Sequence, residues 1–345
     1  MSSDSDDIPS DVEEAAQSAI SSVIPNKSKA KYDLPYEKLE KWCEGKNIKH
    51  INEKILLAYF EGKKTLKAST LWTLYSMLRS ELSLKRNIDI KKYTNLVAFL
   101  KRQSDGYHAK KSNVLSKQNI AKFLIEADDK TFLMAKVAMI VGIAGACRKS
   151  ELTFLHVEDI VDNQSYFRVN IPNTKTKVIR EFVITKGNID GVNFLDIIKK
   201  YINLRPPNVK HNRFFVKYNN GKCSIQPVGI NTIGNLPKMI AKHIGLPDCV
   251  LFTGHCFRRT SATWLADSGA DIMKIKRHGG WKSNSVAEGY VEDSLENKKK
   301  IATDILGETS NCVSQISANS TTTSLSSSGV NISNCKNCVI NIYQN

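Results

Sequence analysis

The stretch "TGHCFRRTSATWLADSGADIMKIKRHGGWKSNSVAEGY" runs from Thr253 to Tyr290. It sets His255 three residues before Arg258, and Trp281 nine residues before Tyr290. Its pattern is helical, with a break at Gly279–Gly280. Taken singly, each of these residues has an ordinary reading. Tyr290 is a core aromatic near the last helix, Trp281 packs after the glycines, and His255 is a satisfied buried histidine. Taken together they offer an imidazole, a guanidinium, an indole N–H and a phenol within one segment. The rest of the chain decides between a helical wall and half of an anion-handling site.

Upstream, "GACRKSELTFLHVEDI" presents Arg148 at the end of an apolar, helix-like run, with Glu151 three residues on. That pair alone is compatible with a simple i, i+3 salt bridge. Between the two segments the character changes. "SYFRVNIP" and "REFVITK" are rich in β-branched and aromatic residues and flank "NTKTKVI", which predicts a hairpin. "VNFLDIIKKYINLRP" returns to helical spacing, and "NRFFVKYNNGK" predicts a short strand and a turn at the Asn-Asn-Gly. Helices continue to about Leu306.

Further upstream, a helical region runs from Tyr32 to about Gln103. "PYEKLEKWCEG" ends at Gly45, "NEKILLAYFEG" ends at Gly62, and "KASTLWTLYSMLRSEL" and "KKYTNLVAFLKRQ" follow. These four helices predict a small all-α domain over 32–105. A basic, aperiodic linker covers 106–115, and a second, mostly helical domain with a small antiparallel sheet covers 116–306. Ser116 is placed to cap the first helix of that domain. The fold class is therefore mainly α, of the α+β kind. Residues 1–31 are acidic and aperiodic and predict disorder. Residues 307–328 form a Ser/Thr-rich linker. Residues 329–345, "VNISNCKNCVINIYQN" at their core, alternate apolar and polar positions and predict a β-prone, self-associating tail.

The 345 residues fit two domains plus tails. No apolar run reaches the ~20 residues of a membrane span, and the acidic N-terminus does not look like a secretory signal. The eight cysteines are scattered and read as thiols. Cys335 and Cys338 form the one close CxxC, without a second pair to complete a zinc set, so no metal is expected. The formal net charge is +16, and six of the 34 acids lie in the first 14 residues. The remaining chain holds 28 acids against 50 bases, an excess that favours a polyanionic partner, most simply nucleic acid.

Arg148, a lysine in the turn of "NTKTKVIRE", His255-x-x-Arg258, Trp281 and Tyr290 occur in an order that resembles the tyrosine recombinases, or phage integrase family. "ACRKSEL" looks like the first arginine box of that family, and "GHCFRRTSATWLADSGADI" like its second. The likeness covers about residues 32–306 and also resembles the eukaryotic Crypton type of DNA transposon. Trp281 stands where many relatives carry histidine, a variant the family tolerates.

The resemblance implies a DNA-clamping helical domain and a catalytic domain that breaks and rejoins double-stranded DNA. Arg148 and Arg258 would hold the scissile phosphate, because a planar guanidinium can bind two oxygens at once. His255 would donate to the phosphate or take the proton of the nucleophile. Trp281 would donate from its indole N–H, which cannot act as a base. Tyr290 would be the nucleophile and yield a 3′-phosphotyrosine. Lys175, with Lys177 as the alternative, would protonate the leaving 5′-oxygen. Glu151 would orient Arg148. The resemblance implies no cofactor, metal or ATP, because the covalent intermediate keeps the bond energy. It also implies a tetramer on DNA and, from the eukaryotic likeness, nuclear residence. Rival readings are a domesticated, transposon-derived DNA-binding protein that no longer cuts, and a type IB topoisomerase. Lys64, Lys67, Ser69, Thr70, Arg79, Lys101, Arg102, Lys110 and Lys111 are the candidate DNA-backbone contacts.

Overall fold

A computed structural model of the chain describes residues 9–108, 110–172, 178–187 and 189–307. The chain divides into two compact units between Lys111 and Ser112.

The first unit holds α1 (Ser10–Ser22), α2 (Asn26–Glu44), α3 (Glu53–Glu61), α4 (Ala68–Arg86) and α5 (Thr94–Arg102). Gly45 and Gly62 follow the last turns of α2 and α3. Asn52 caps α3 by accepting from the Ile55 amide. One face of each of these elements from α2 to α5 supplies the core, among them Leu39, Leu56, Phe60, Leu78, Leu82 and Leu96, all fully buried. The expectation of disorder up to residue 31 differs from the structure, in which Ser10–Ser22 and the start of α2 are helical. Ala15, Ala16 and Ala19 are strong helix formers, and Asp11 and Glu13 in the first turn complement the helix dipole. Ile20 and Ile24 face a shallow cleft shared with Leu84 of α4. Two isolated apolar residues give too little period to be seen in composition.

The second unit opens with α6 (Lys117–Glu126), where Ser116 and Asn119 form a reciprocal capping box. The apolar run that reads as one long helix is two: α7 (Asp129–Ala144) and α8 (Lys149–Phe154). Between them Ala146 takes φ 45°, a left-handed conformation that ends α7. A three-stranded antiparallel sheet follows, in the order β1 (Ile160–Asp162), β2 (Tyr166–Ile171), β3 (Arg180–Thr185). The predicted pair is β2 and β3, with Phe167 opposite Ile184 and Ile171 opposite Arg180. The three-residue β1 carries too short a pattern to announce itself. Next come α9 (Phe194–Asn203) and the hairpin of β4 (Val216–Asn219) and β5 (Lys222–Pro227). Its turn residues Asn220 and Gly221 both have positive φ, as a tight two-residue hairpin turn requires.

Among the described residues the unit continues with the α-helices α10 (Ile230–His243), α11 (Cys256–Asp267), α12 (Ile272–Gly279), α13 (Asn284–Asp293) and α14 (Leu295–Leu306). The buried α7 is the central element, in contact with α9, α10 and α11. A Cβ at Gly142 would lie 2.8 Å from the Phe257 ring, so glycine allows α11 to lie close against α7. That close approach carries Arg258, the next residue, to the C-terminal end of α7. Among the described residues no helix is long and apolar enough to cross a membrane. The expected Ser/Thr-rich linker beyond Gly307 and the β-prone tail with its Cys335–Cys338 pair lie outside the described residues.

Candidate active site

Two turns meet at the end of α7. One, Gly145–Arg148, joins α7 to α8. The other, His278–Trp281, joins α12 to α13. Arg258, on the first turn of α11, bridges them: Nη1 donates to the Ala146 carbonyl at 2.6 Å and Nη2 to the Gly279 carbonyl at 2.7 Å. Its guanidinium carbon lies 4.3 Å from the centre of the Trp281 ring, a cation–π distance. The Trp281 and Tyr290 rings are 5.2 Å apart and tilted by 36°. Tyr290 sits on α13 and is half-buried. Gly280, at φ 63°, turns the chain between α12 and Trp281.

Arg148 stands at the N-cap position of α8. Glu151, buried beneath it, accepts from the Arg148 amide at 2.9 Å and from Nη1 at 2.5 Å. Arg148 and Arg180 both pair with Glu151, and Arg258 lies close enough to feel the charges of all three, so three guanidinium groups stand near one carboxylate. Burial first, and then the neighbouring Arg148 charge, lower the Arg258 pKa to about 10. It stays cationic at neutral pH. That excess of positive charge, partly removed from water, suits an anion.

His255 immediately precedes α11, one turn before Arg258, and its ring is exposed. Arg148, Glu151, Arg258, Trp281 and Tyr290 thus come from three separate stretches of chain into one region, with His255 one turn before Arg258. Lys175 and Lys177 lie outside the described residues. Lys149 and Gly254, the neighbours of Arg148 and His255 in the chain, line a polar pocket of about 380 Å³ together with Asn231, Asn235, Lys238 and Thr253. Sequence reasoning did not single out these residues, which are scattered along the chain.

Arg180 is the other residue that sequence reasoning missed. It is buried on β3, and Nη2 pairs with Glu151 at 2.6 Å. A cue was present. Arg180 has the same strand parity as buried Ile184, and an arginine on the inward face of a strand must find partners inside. His278 and Arg259, which neighbour the site residues in the chain, have defined places. Arg259 pairs with Asp293 at 2.9 Å. His278 Nε2 lies 2.7 Å from Ser261 Oγ.

Burial, followed by the charges of Arg180 and Arg258, lowers the His278 pKa from 6.5 to about 4. Between these values the unfolded chain binds a proton that the folded chain refuses. His278 is therefore expected to cost stability as pH falls from 6.5 towards 4, at up to about 1.4 kcal/mol per pH unit. Urea unfolding at pH 7 and pH 5 checks this: stability drops more steeply for the parent chain than for His278→Gln.

In the first unit, Trp72 Nε1 donates to Ser104 Oγ at 2.9 Å, and the Tyr107 hydroxyl reaches Ser69 Oγ at 3.3 Å. These bonds bring the end of α5 to the start of α4. Lys67, Ser69 and Thr70 are thereby gathered near Lys101 and Arg102, all exposed. Lys64 is ion-paired with Glu61, and Arg79 is half-buried in a cleft with Asp89. Lys110 and Lys111 are exposed.

The phage integrase family profile matches residues 113–297, more than half of the chain, and the chain belongs to that family. The tyrosine recombinase XerC of Rickettsia prowazekii (strain Madrid E) is 26% identical over 173 residues, 49% of this chain and 50% of the relative. XerC of Rickettsia massiliae (strain Mtu5) is 27% identical over 175 residues, 50% of this chain and 51% of the relative. The chain spans about half the length of the curated relatives it matches.

Solved structures share the fold. A lambda integrase (75–356) dimer bound to a COC′ core site superposes with TM-score 0.54 at 18% identity, covering 81% of this chain and 94% of that one. The XerH site-specific recombinase on palindromic difH, a post-cleavage complex, gives 0.55 at 16%, covering 79% and 78%. The Tn1549 transposon integrase with circular intermediate DNA gives 0.55 at 16%, covering 85% and 97%.

Proposed function

We propose that this chain is a site-specific DNA recombinase that breaks and rejoins strands through a phosphotyrosine on Tyr290. The observation that carries the reading is the grouping of Arg148 and Arg258 with Trp281 and Tyr290 around an excess of positive charge. Family membership and the DNA-bound state of the three structural relatives support it.

In the proposed reaction Arg148 and Arg258 hold the non-bridging oxygens of one phosphodiester. Tyr290 Oη attacks phosphorus in line, and its proton passes to His255. The bond from phosphorus to the 5′-oxygen breaks, and Lys175 or Lys177 supplies the proton that the leaving oxygen needs. Guanidinium groups fixed before the attack stabilise the charge that builds on the phosphoryl oxygens. A 5′-hydroxyl from a partner strand then reverses the step, and neither metal nor ATP enters the balance. Assembly as a tetramer on DNA, a Crypton-like origin with a role in transposition, and nuclear residence belong to the same proposal.

Incubating the full chain with duplexes nicked beside a candidate site tests the reading. A covalent, denaturant-stable adduct whose protease fragment contains Tyr290 is the expected result. DNA binding without an adduct on any substrate favours a domesticated binding protein. Relaxation of supercoiled plasmid by monomer favours a topoisomerase.

A further inference from the structure

Arg180 and Arg258 form a matched pair of staples. Arg258 spans the Ala146 and Gly279 carbonyls. Arg180 spans the carbonyls one residue earlier in each turn, donating from Nη1 to Gly145 at 2.5 Å and to His278 at 3.0 Å. Its other terminal nitrogen, Nη2, holds Glu151, whose second oxygen holds Arg148. One buried guanidinium therefore touches the turn that delivers Arg148, the carboxylate that orients Arg148, and the turn that delivers Trp281.

We infer that Arg180 is a positioning residue for the phosphate clamp, acting through the two turns and Glu151 and never on DNA itself. This rests on the recombinase reading proposed above. Burial keeps Arg180 from the substrate: its side chain is 5% exposed. A role in stability alone explains the arrangement poorly, because the Arg180 charge opposes that of nearby Arg258. A buried ion pair is seldom a net gain over well-packed apolar groups, whereas a fixed fork does set geometry.

The test uses the full chain carrying Arg180→Met or Arg180→Lys, in single-turnover cleavage of the nicked duplex. DNA affinity is measured alongside. So is the emission of Trp281, taken as the difference from the same chain carrying Trp281→Phe. The cleavage rate of Arg180→Met is expected to fall about 100-fold, the scale on which small misplacements act. DNA affinity stays within about twofold, because no DNA contact is lost. The Trp281 signal shifts. Arg180→Lys, which keeps the charge and loses the fork, recovers part of the rate. Glu151→Gln added to Arg180→Met brings little further loss, since both act on Arg148.

A folded Arg180→Met that cleaves at the parent rate with unchanged Trp281 emission overturns the inference, as does a loss that only follows the unfolded fraction. If Arg180→Met does not fold, Arg180→Lys decides on the same measurements. If the parent chain itself forms no adduct, the recombinase reading fails, and the Trp281 signal still decides whether Arg180 sets this site.

Discussion

Tyr290→Phe is expected to bind duplex DNA like the parent chain and to form no covalent adduct. The substitution removes one oxygen and keeps the ring that packs at 5.2 Å from Trp281, so the small cluster of Ala266, Ile275 and Ala287 beneath it is undisturbed. Stability should change by less than about 1 kcal/mol, since a half-buried ring is retained. The cleavage step has no other nucleophile in the grouping. Its rate should fall by more than about 10⁴-fold, the scale seen when a covalent catalyst loses its reacting atom. The measurement is a denaturing gel of the adduct with a binding titration beside it. An adduct that survives in Tyr290→Phe would assign the nucleophile elsewhere, exposed Tyr107 and Tyr166 being the first to examine.

Arg258→Met has the second largest expected effect, and it separates activity from stability. The guanidinium supplies fixed donors where charge builds, and removing one such group costs about 10²–10³-fold in rate. Cleavage should fall towards the upper end of that range. Stability should barely move. Burial and the Arg148 charge penalise the Arg258 cation, as its pKa of about 10 records. Removing that penalty offsets the loss of the bonds to the Ala146 and Gly279 carbonyls. Single-turnover cleavage and thermal unfolding measured on one preparation check both halves. A large fall in Tm with modest loss of cleavage would mean that Arg258 is a staple first and a clamp second.

The parts of the fold legible in the sequence share a physical property: they are local. Gly45, Gly62 and Ser116 mark helix ends through their own backbone or side-chain chemistry. The alternation of "SYFRVNIP" and "REFVITK" marks a hairpin because side chains in a strand point to opposite faces in turn. The grouping of His255, Arg258, Trp281 and Tyr290 came instead from the resemblance to a known family, because local pattern gives each of them an ordinary reading. The break at Ala146 was hidden. Nothing in an apolar run shows where a left-handed residue will interrupt it. The helix at Ser10–Ser22 was hidden for a related reason, since Val12 and Ile20 alone define no apolar stripe.

What the sequence by itself determined is the list of chemical groups and most of their local setting: the longer periodic helices and strands, the ends marked by a glycine or a capping side chain, and which arginines, aromatics and acids stand near them. What only the tertiary structure decided is which groups share one space. The close seat of α11 on α7 at Gly142 brings Arg258 to the turn before Arg148, and the inward phase of β3 brings Arg180 to Glu151 and to the turn before Trp281. The reason is range. Backbone propensity and capping act within a few residues, whereas burying a charge requires partners that packing alone delivers from distant parts of the chain.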